Sequence, residues 1–282
     1  MSAYFSFFPT IAYKKIASQN LLAKIRFEES IKKHAAVFYP YTVIEGERPD
    51  QIAEHYYDDA TYDWMIYLAN GIVDPYHDWP KSQRVFDQYI TNKYGSIAIA
   101  EAQVAYYRTN EDIDETVISP TAYNGLLAQL KKYWEPILGY GDVVINYQRS
   151  TNTLYADTNG VISVVGVFTN TSVGDVLKQD EAYGEVAHIS SDKTTVQLKH
   201  VVGTWTTGVA VTKKVTGITV SSSVSAVTLI RRGISVNEAA YWRPVTKYAS
   251  ETEANESKKE ILLVHKSYVD AIEREMRDLL LV

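Results

Sequence analysis

Two short stretches set an imidazole among carboxylates, the combination that general acid–base work needs: His55 with Asp58, Asp59 and Asp63, and His77 with Asp74 and Asp78. In both, the acids fall where helix ends are expected, and capping of those ends accounts for them more simply than proton transfer. The six histidines, His34, His55, His77, His188, His200 and His265, show neither HExxH nor HxH spacing, so no zinc site is expected. There is no GxSxG elbow, phosphate-binding glycine loop or dinucleotide fingerprint, and Gly139-Tyr-Gly141 is an isolated glycine pair. The absence of cysteine excludes thiolate nucleophiles, thiolate metal sites and disulfides. The expectation is a protein that is not an enzyme and uses no cofactor and no metal.

Composition says what such a chain can do instead. With 46% hydrophobic and 22% charged residues it can bury a core, which argues against global disorder. Tyrosine outnumbers phenylalanine 22 to 7, and tyrosine suits either a core with hydroxyls to satisfy or a protein-contact surface that is apolar in body and polar at its edge. The net charge is −6, and the basic residues cluster no further than pairs such as Lys131-Lys132 and Arg231-Arg232. Phosphate-driven nucleic-acid binding is therefore not expected. No apolar run approaches the ~18 to 20 residues that span a bilayer, since even ILLVHKSYVDAI is broken by His265, Lys266 and Asp270. The start, MSAYFSFFPTIAYKK, lacks the basic-then-apolar order of a signal peptide, so neither membrane insertion nor secretion is expected.

The elements that would position any functional residue fall into five stretches. Residues 1–36 form an N-terminal arm whose Tyr4, Phe5, Phe7 and Phe8 must dock on this chain or on a partner. Residues 37–80 begin with a strand over Tyr41–Ile44. Gly46 permits a tight exit, and Pro49 sits in a first helical turn. Ile52, Ala53, Tyr56 and Tyr57 mark the apolar face of one short helix. Tyr62, Trp64, Met65, Ile66, Leu68 and Ala69 mark that of a second, stopped at Asn70-Gly71. Residues 81–137 read as a helical region, with Val85, Phe86, Tyr89 and Ile90 at helical spacing and a further helix over 120–133. The run IAIAEAQVAYY between them fits a helix or a strand equally.

Residues 138–236 change texture to Val, Thr, Ser and Gly and read as an inserted all-β module. Its strands cover 143–147, 161–168, 194–202 and 215–230, and a hairpin joins 184–189 to 195–199 across Ser191-Asp192-Lys193. The uncharged run VTGITVSSSVSAVTLI would be an aggregation hazard on an open edge. Framing the module are Tyr133-Trp-Glu-Pro-Ile137 and Tyr241-Trp-Arg-Pro-Val245, two copies of one element whose Trp134 and Trp242 are available as anchors. Residues 237–282 hold the second copy and then an amphipathic helix from about 251 to 281, with Ile261, His265, Tyr268, Ile272, Met276 and Leu279 as its stripe. The fold class is α+β.

The pattern Tyr41-Thr-Val43, Gly46-Glu47, Ile52-Ala53, Tyr56-Tyr57, Trp64, Leu68-Ala69-Asn70 resembles the LysM module, a strand-helix-helix-strand fold that commonly binds N-acetylglucosamine-containing glycans. Its usual second strand is replaced here by Ile72–Pro80. YFSFFPTIAY, the stretch VFYPYTVIEGERPDQIAEHYYDDATYDWMIYLANGIVDPYHDWP, FDQYITNKYGS and the distal YWRPVTKYASETEANESKKEILLVHKSYVDAIEREM together resemble the baseplate wedge proteins designated 53 of T-even-type contractile-tailed bacteriophages. That resemblance leaves out the β module. It implies a structural subunit of the virion's tail baseplate, made in the host bacterial cytoplasm, that joins other wedge subunits and neighbouring wedges through protein contacts. Tyr4, Phe5, Phe7, Phe8, Trp64, Trp79, Trp134, Trp242 and Tyr268 are the contact candidates. The LysM resemblance implies a vestigial glycan groove at Gly46, Glu47, Arg48, Asn70, Gly71 and Ile72, and with it the alternative of a peptidoglycan- or chitooligosaccharide-binding protein or a tail-associated cell-wall hydrolase component; retained glycan binding is the lesser expectation.

Overall fold

The computed structural model describes residues 8–13, 15–19, 27, 36–109, 117–150, 155–156, 160–232, 234 and 236–280. Helices and strands both occur throughout, so the fold is α+β. The chain divides into two compact units, one of residues 1–89 with 252–282 and one of residues 90–251.

In the first unit the strand Phe38–Thr42 leads through Gly46, at a φ of 82°, into the helix Pro49–Tyr57. Proline occupies the first helical turn, where its missing N–H costs nothing. Asp58, in the left-handed region, ends that helix, and a single 3-10 turn leads into the helix Asp63–Asn70, which stops at a left-handed Gly71. Ile52, Ala53, Met65, Ile66 and Ala69 face inward and are almost fully buried. Each large aliphatic side chain there contributes about 1.5–3 kcal/mol relative to exposure. Phe8 is buried in the same core, and Phe27 meets Phe38 edge-on at 5.4 Å. The hairpin Thr10–Tyr13 with Ile16–Gln19 lies between those two phenylalanines in sequence.

The continuous C-terminal helix expected from the apolar stripe is not what forms. Instead the helix Lys247–Ser257 ends, the strand Glu260–Val264 pairs antiparallel with Phe38–Thr42, and a separate helix covers Val269–Leu280. Of the stripe residues in that last helix, Met276 is buried and Ile272 packs against the core, while Leu279 is exposed. Ile261 to Val264 is a short unbroken aliphatic run, as suited to a buried strand as to a helix, and a free edge on Phe38–Thr42 decides between them. Leu262 lies opposite Pro40. Its N–H and C=O both bond to the Asn70 side chain, at 2.8 and 2.9 Å. They therefore point away from Pro40, which sits in a non-hydrogen-bonded pair where its missing N–H leaves no gap in the ladder.

In the second unit the ambiguous run resolves into both alternatives: a helix Ile97–Ala102, capped by Ser96, and a strand Val104–Thr109. The helix expected over 120–133 is shorter, Pro120–Gly125, followed after a turn by a 3-10 turn at Lys131–Tyr133. The strand Val104–Thr109 pairs with Trp242–Thr246 and with Tyr155–Ala156, while Val144–Arg149 lies between Trp134–Leu138 and Val117–Ile118. The early part of the strand-rich stretch thus belongs to small sheets with the residues before it.

Residues 160–232 make a sheet of seven strands. The expected hairpin is present as Ala182–Ile189 with Thr195–Val202, and the expected single strand over 215–230 is two, Thr219–Ser221 and Val224–Arg232. These two form the opposite edges of the sheet although only Ser222 and Ser223 separate them. Laid flat, seven strands would hold those edges ~29 Å apart at ~4.8 Å per step, several times what two linking residues can span. The sheet therefore rolls into a barrel. Thr169 N–H donates to the Val220 carbonyl at 2.8 Å across the seam. At Gly166 a Cβ would meet the Ser223 carbonyl oxygen at 2.9 Å, so the seam requires glycine. Val164, Leu177, Val186, Val196, Leu198 and Val211 fill the interior with Phe168 and Trp205. The uncharged run supplies both edge strands and the link between them; Val220 and Val224 are buried, while Ile218, Leu229 and Ile230 stay exposed.

Candidate protein-contact surfaces

The carboxylate–imidazole groups do not assemble into reacting centres. Asp59 caps the 3-10 turn by accepting from Thr61 N–H at 2.8 Å, which lowers its pKa, and Asp58 pairs with Lys266 at 2.8 Å. Asp74 caps the helix Pro75–Asp78 through Tyr76 N–H and meets His77 Nδ1 at 2.6 Å, and the His77 contact is the main reason its pKa is lowered. Asp78 accepts from the Asp74 N–H at 3.1 Å. Asp59, Asp74 and Asp78 hold turns, as capping requires, Asp58 is spent on an ion pair, and burial raises the pKa of Asp63. Among the described residues no three metal-ligating side chains gather, and no helix is long and apolar enough to cross a membrane.

The groove residues flank the same core. The Glu47 carboxylate accepts from Tyr41 O–H at 2.8 Å and from Ile44 N–H at 3.1 Å. Desolvation, followed by that carboxylate, pushes the Tyr41 phenol up to about 12. The Glu47 carbonyl accepts from the Trp79 indole N–H at 2.9 Å, and Arg48 pairs with Asp50 at 2.8 Å. Asn70 is committed to Leu262, and Ile72 N–H bonds to the Tyr67 carbonyl at 2.9 Å. The polar groups a sugar would address at these positions are bonded within the chain.

The aromatic candidates fall into distinct settings. Tyr4, Phe5 and Phe7 lie outside the described residues, while Phe8 and Trp64 are packed in the core of the first unit. Tyr268 is partly exposed against the edge of His265. Trp134 and Trp242 are brought together. Each copy of the Tyr-Trp-x-Pro element is a 3-10 turn running into a strand at its Trp, and the two clasp reciprocally. Trp134 Nε1 donates to Tyr241 Oη at 3.2 Å, and Trp242 Nε1 donates to Tyr133 Oη at 2.8 Å. Tyr133 and Tyr241 stack at 4.7 Å, and Tyr133 O–H donates to the buried Glu238 carboxylate at 3.1 Å.

Large apolar side chains that sequence reasoning passed over stand in solvent. Tyr76 is 85% exposed with Val73 close by in the chain, and a hairpin tip presents Leu138, Tyr140 and Val143. Two signals point to them: Pro75, which starts a helix too short to bury its neighbours, and the Gly139-Tyr-Gly-Asp142 turn.

Against these features stands one resemblance to a known family. No curated protein matches the chain. Residues 5–118, well under half of the 282, match the model of the family described as base plate wedge protein 53, and this supports a structural role in a phage baseplate.

Proposed function

We propose that the chain is a structural subunit of a phage tail baseplate wedge that joins neighbouring wedge subunits by protein–protein contacts during tail assembly, without catalysis. The observation that carries this reading is the family match over residues 5–118. We read Phe38–Thr42, the helices Pro49–Tyr57 and Asp63–Asn70 and the distant strand Glu260–Val264 as a LysM-like scaffold. Its closing strand arrives from the far end of the chain. Glycan binding gains no support, because Glu47, Arg48 and Asn70 are already engaged. Contacts with partners fall instead to the aromatic arm of Tyr4, Phe5 and Phe7, to Tyr268 and to the exposed Tyr76 and Tyr140. Mass spectrometry of purified virions should find the chain, and particles lacking its gene should lack complete baseplates. Virions that are complete and infective without it would refute the proposal.

A further inference from the structure

The barrel leaves the rest of the second unit through two strands that lie side by side, since Gly160 is paired with Arg232 at its mouth. It meets the remainder of that unit at a second place, and the side chains there are polar. Gln103, at the end of the helix Ile97–Ala102, is buried and donates from Nε2 to the Gly174 carbonyl of the barrel at 2.6 Å. Lys247, the first residue of the helix Lys247–Ser257, donates to Gln103 Oε1 at 2.7 Å, and its backbone N–H donates to the Gln103 carbonyl at 2.9 Å. The same ammonium lies 3.9 Å from the carboxylate of Glu185, a buried barrel residue whose other oxygen pairs with Lys199 of the barrel at 3.1 Å. The Tyr94 ring also faces Lys247, 5.6 Å away, and the like charge of Lys199 acts against it.

Two polar atoms at this seam go unsatisfied. Glu185 Oε2 and the hydroxyl of Tyr107 are buried and make no hydrogen bond. Tyr107 lies on the strand Val104–Thr109, close enough to Tyr183 of the barrel for the two phenols to interact. Burial of Lys247 lowers its pKa, so the ammonium is held there at a cost that Glu185 offsets only in part. A buried ion group held by few partners is where an interface gives first.

We propose that Gln103 and Lys247 form a latch on the barrel, and that releasing it lets the barrel move as an intact body on its paired entry and exit strands. The latch reads one carbonyl, Gly174, and one carboxylate, Glu185, and its parts come from the two helix ends that flank the strands Val104–Thr109 and Trp242–Thr246. The proposal concerns only the second unit and stands or falls independently of a role in the baseplate.

Hydroxyl-radical footprinting of the full chain tests it. In Lys247→Met, labelling of Tyr107 and Tyr183 is expected to rise severalfold while labelling of Trp205, in the barrel interior, stays at the wild-type level. Gln103→Leu, which removes the Gly174 contact and introduces no charge, should do the same to a smaller degree. Unchanged protection of Tyr107 in both variants would overturn the proposal, as would a rise at Trp205 in step with Tyr107, because the barrel would then be unfolding and not undocking. Failure of both variants to fold would overturn it as well, since a latch on a separable body is dispensable for folding.

Discussion

Single side chains decide more here by closing the chain on itself than by facing outward. Asn70 looks in sequence like a helix stop and a groove residue, yet its amide serves as a third strand for Leu262, 192 positions away. Asn70→Ala would leave both Leu262 groups without their partner at a cost of about 2 kcal/mol, measured as a lower midpoint in urea unfolding with an unchanged slope. The clasp makes a second test. Tyr133→Phe removes the acceptor for Trp242 Nε1 and the donor to Glu238, a loss of about 1–3 kcal/mol. In a double-mutant cycle Tyr133→Phe and Trp242→Phe should couple by more than about 0.5 kcal/mol, and additivity within error would show that the contact carries no energy. Titration adds a third. Asp192 bonds to Ser190 and Thr194 in the barrel hairpin, and the Ser190 contact leads in holding its carboxyl down to about 2. A folded-state pKa below the unfolded value of 3.8 gives stability that is present above that pH and lost as pH falls through about 2. Asp192→Asn should therefore flatten the acid limb of the unfolding curve between those values, while an unchanged limb would show that the hairpin bonds are not formed.

Elements were legible where a segment's neighbours are local. The hairpin across Ser191-Asp192-Lys193 was readable because alternation and turn residues lie within one short stretch, and helix Asp63–Asn70 because its stripe and its stop are contiguous. The strand Glu260–Val264 was not, because its pattern also suits a helix and its partner lies at the other end of the chain. Barrel closure was likewise hidden: which strand forms which edge depends on pairings that no local pattern encodes. Of the candidate site, the two Tyr-Trp-x-Pro elements were readable as a pair, but that their indoles answer each other was not. Because Gly160 and Arg232 are adjacent in register, replacing residues 161–231 with a short Gly-Ser turn should leave a soluble, cooperatively unfolding remainder. Aggregated or molten product would show that the barrel is part of the surrounding core and not an insertion in it.

At the scale of the whole molecule, tyrosine is the residue that both units lean on. Burial raises Tyr57 and Tyr183, burial with Glu47 takes Tyr41 up to about 12, and burial with Tyr183 raises Tyr107. A phenol whose folded pKa lies above its unfolded value of 10 stabilises fully below that pH, and the contribution is lost as pH rises toward 12. Phenolate absorbance should therefore appear in two steps, the later one coinciding with alkaline unfolding; a single step near pH 10 would contradict the buried phenols. The central proposal, that aromatic side chains left exposed on the two units grip other baseplate proteins, is tested most directly by cryo-electron microscopy of intact tails. The account expects density for this chain at a junction between adjacent wedges, with Tyr76 or the Leu138–Val143 tip covered by another subunit. Density that places the chain elsewhere in the particle, or at a junction with both surfaces bare to solvent, would contradict it.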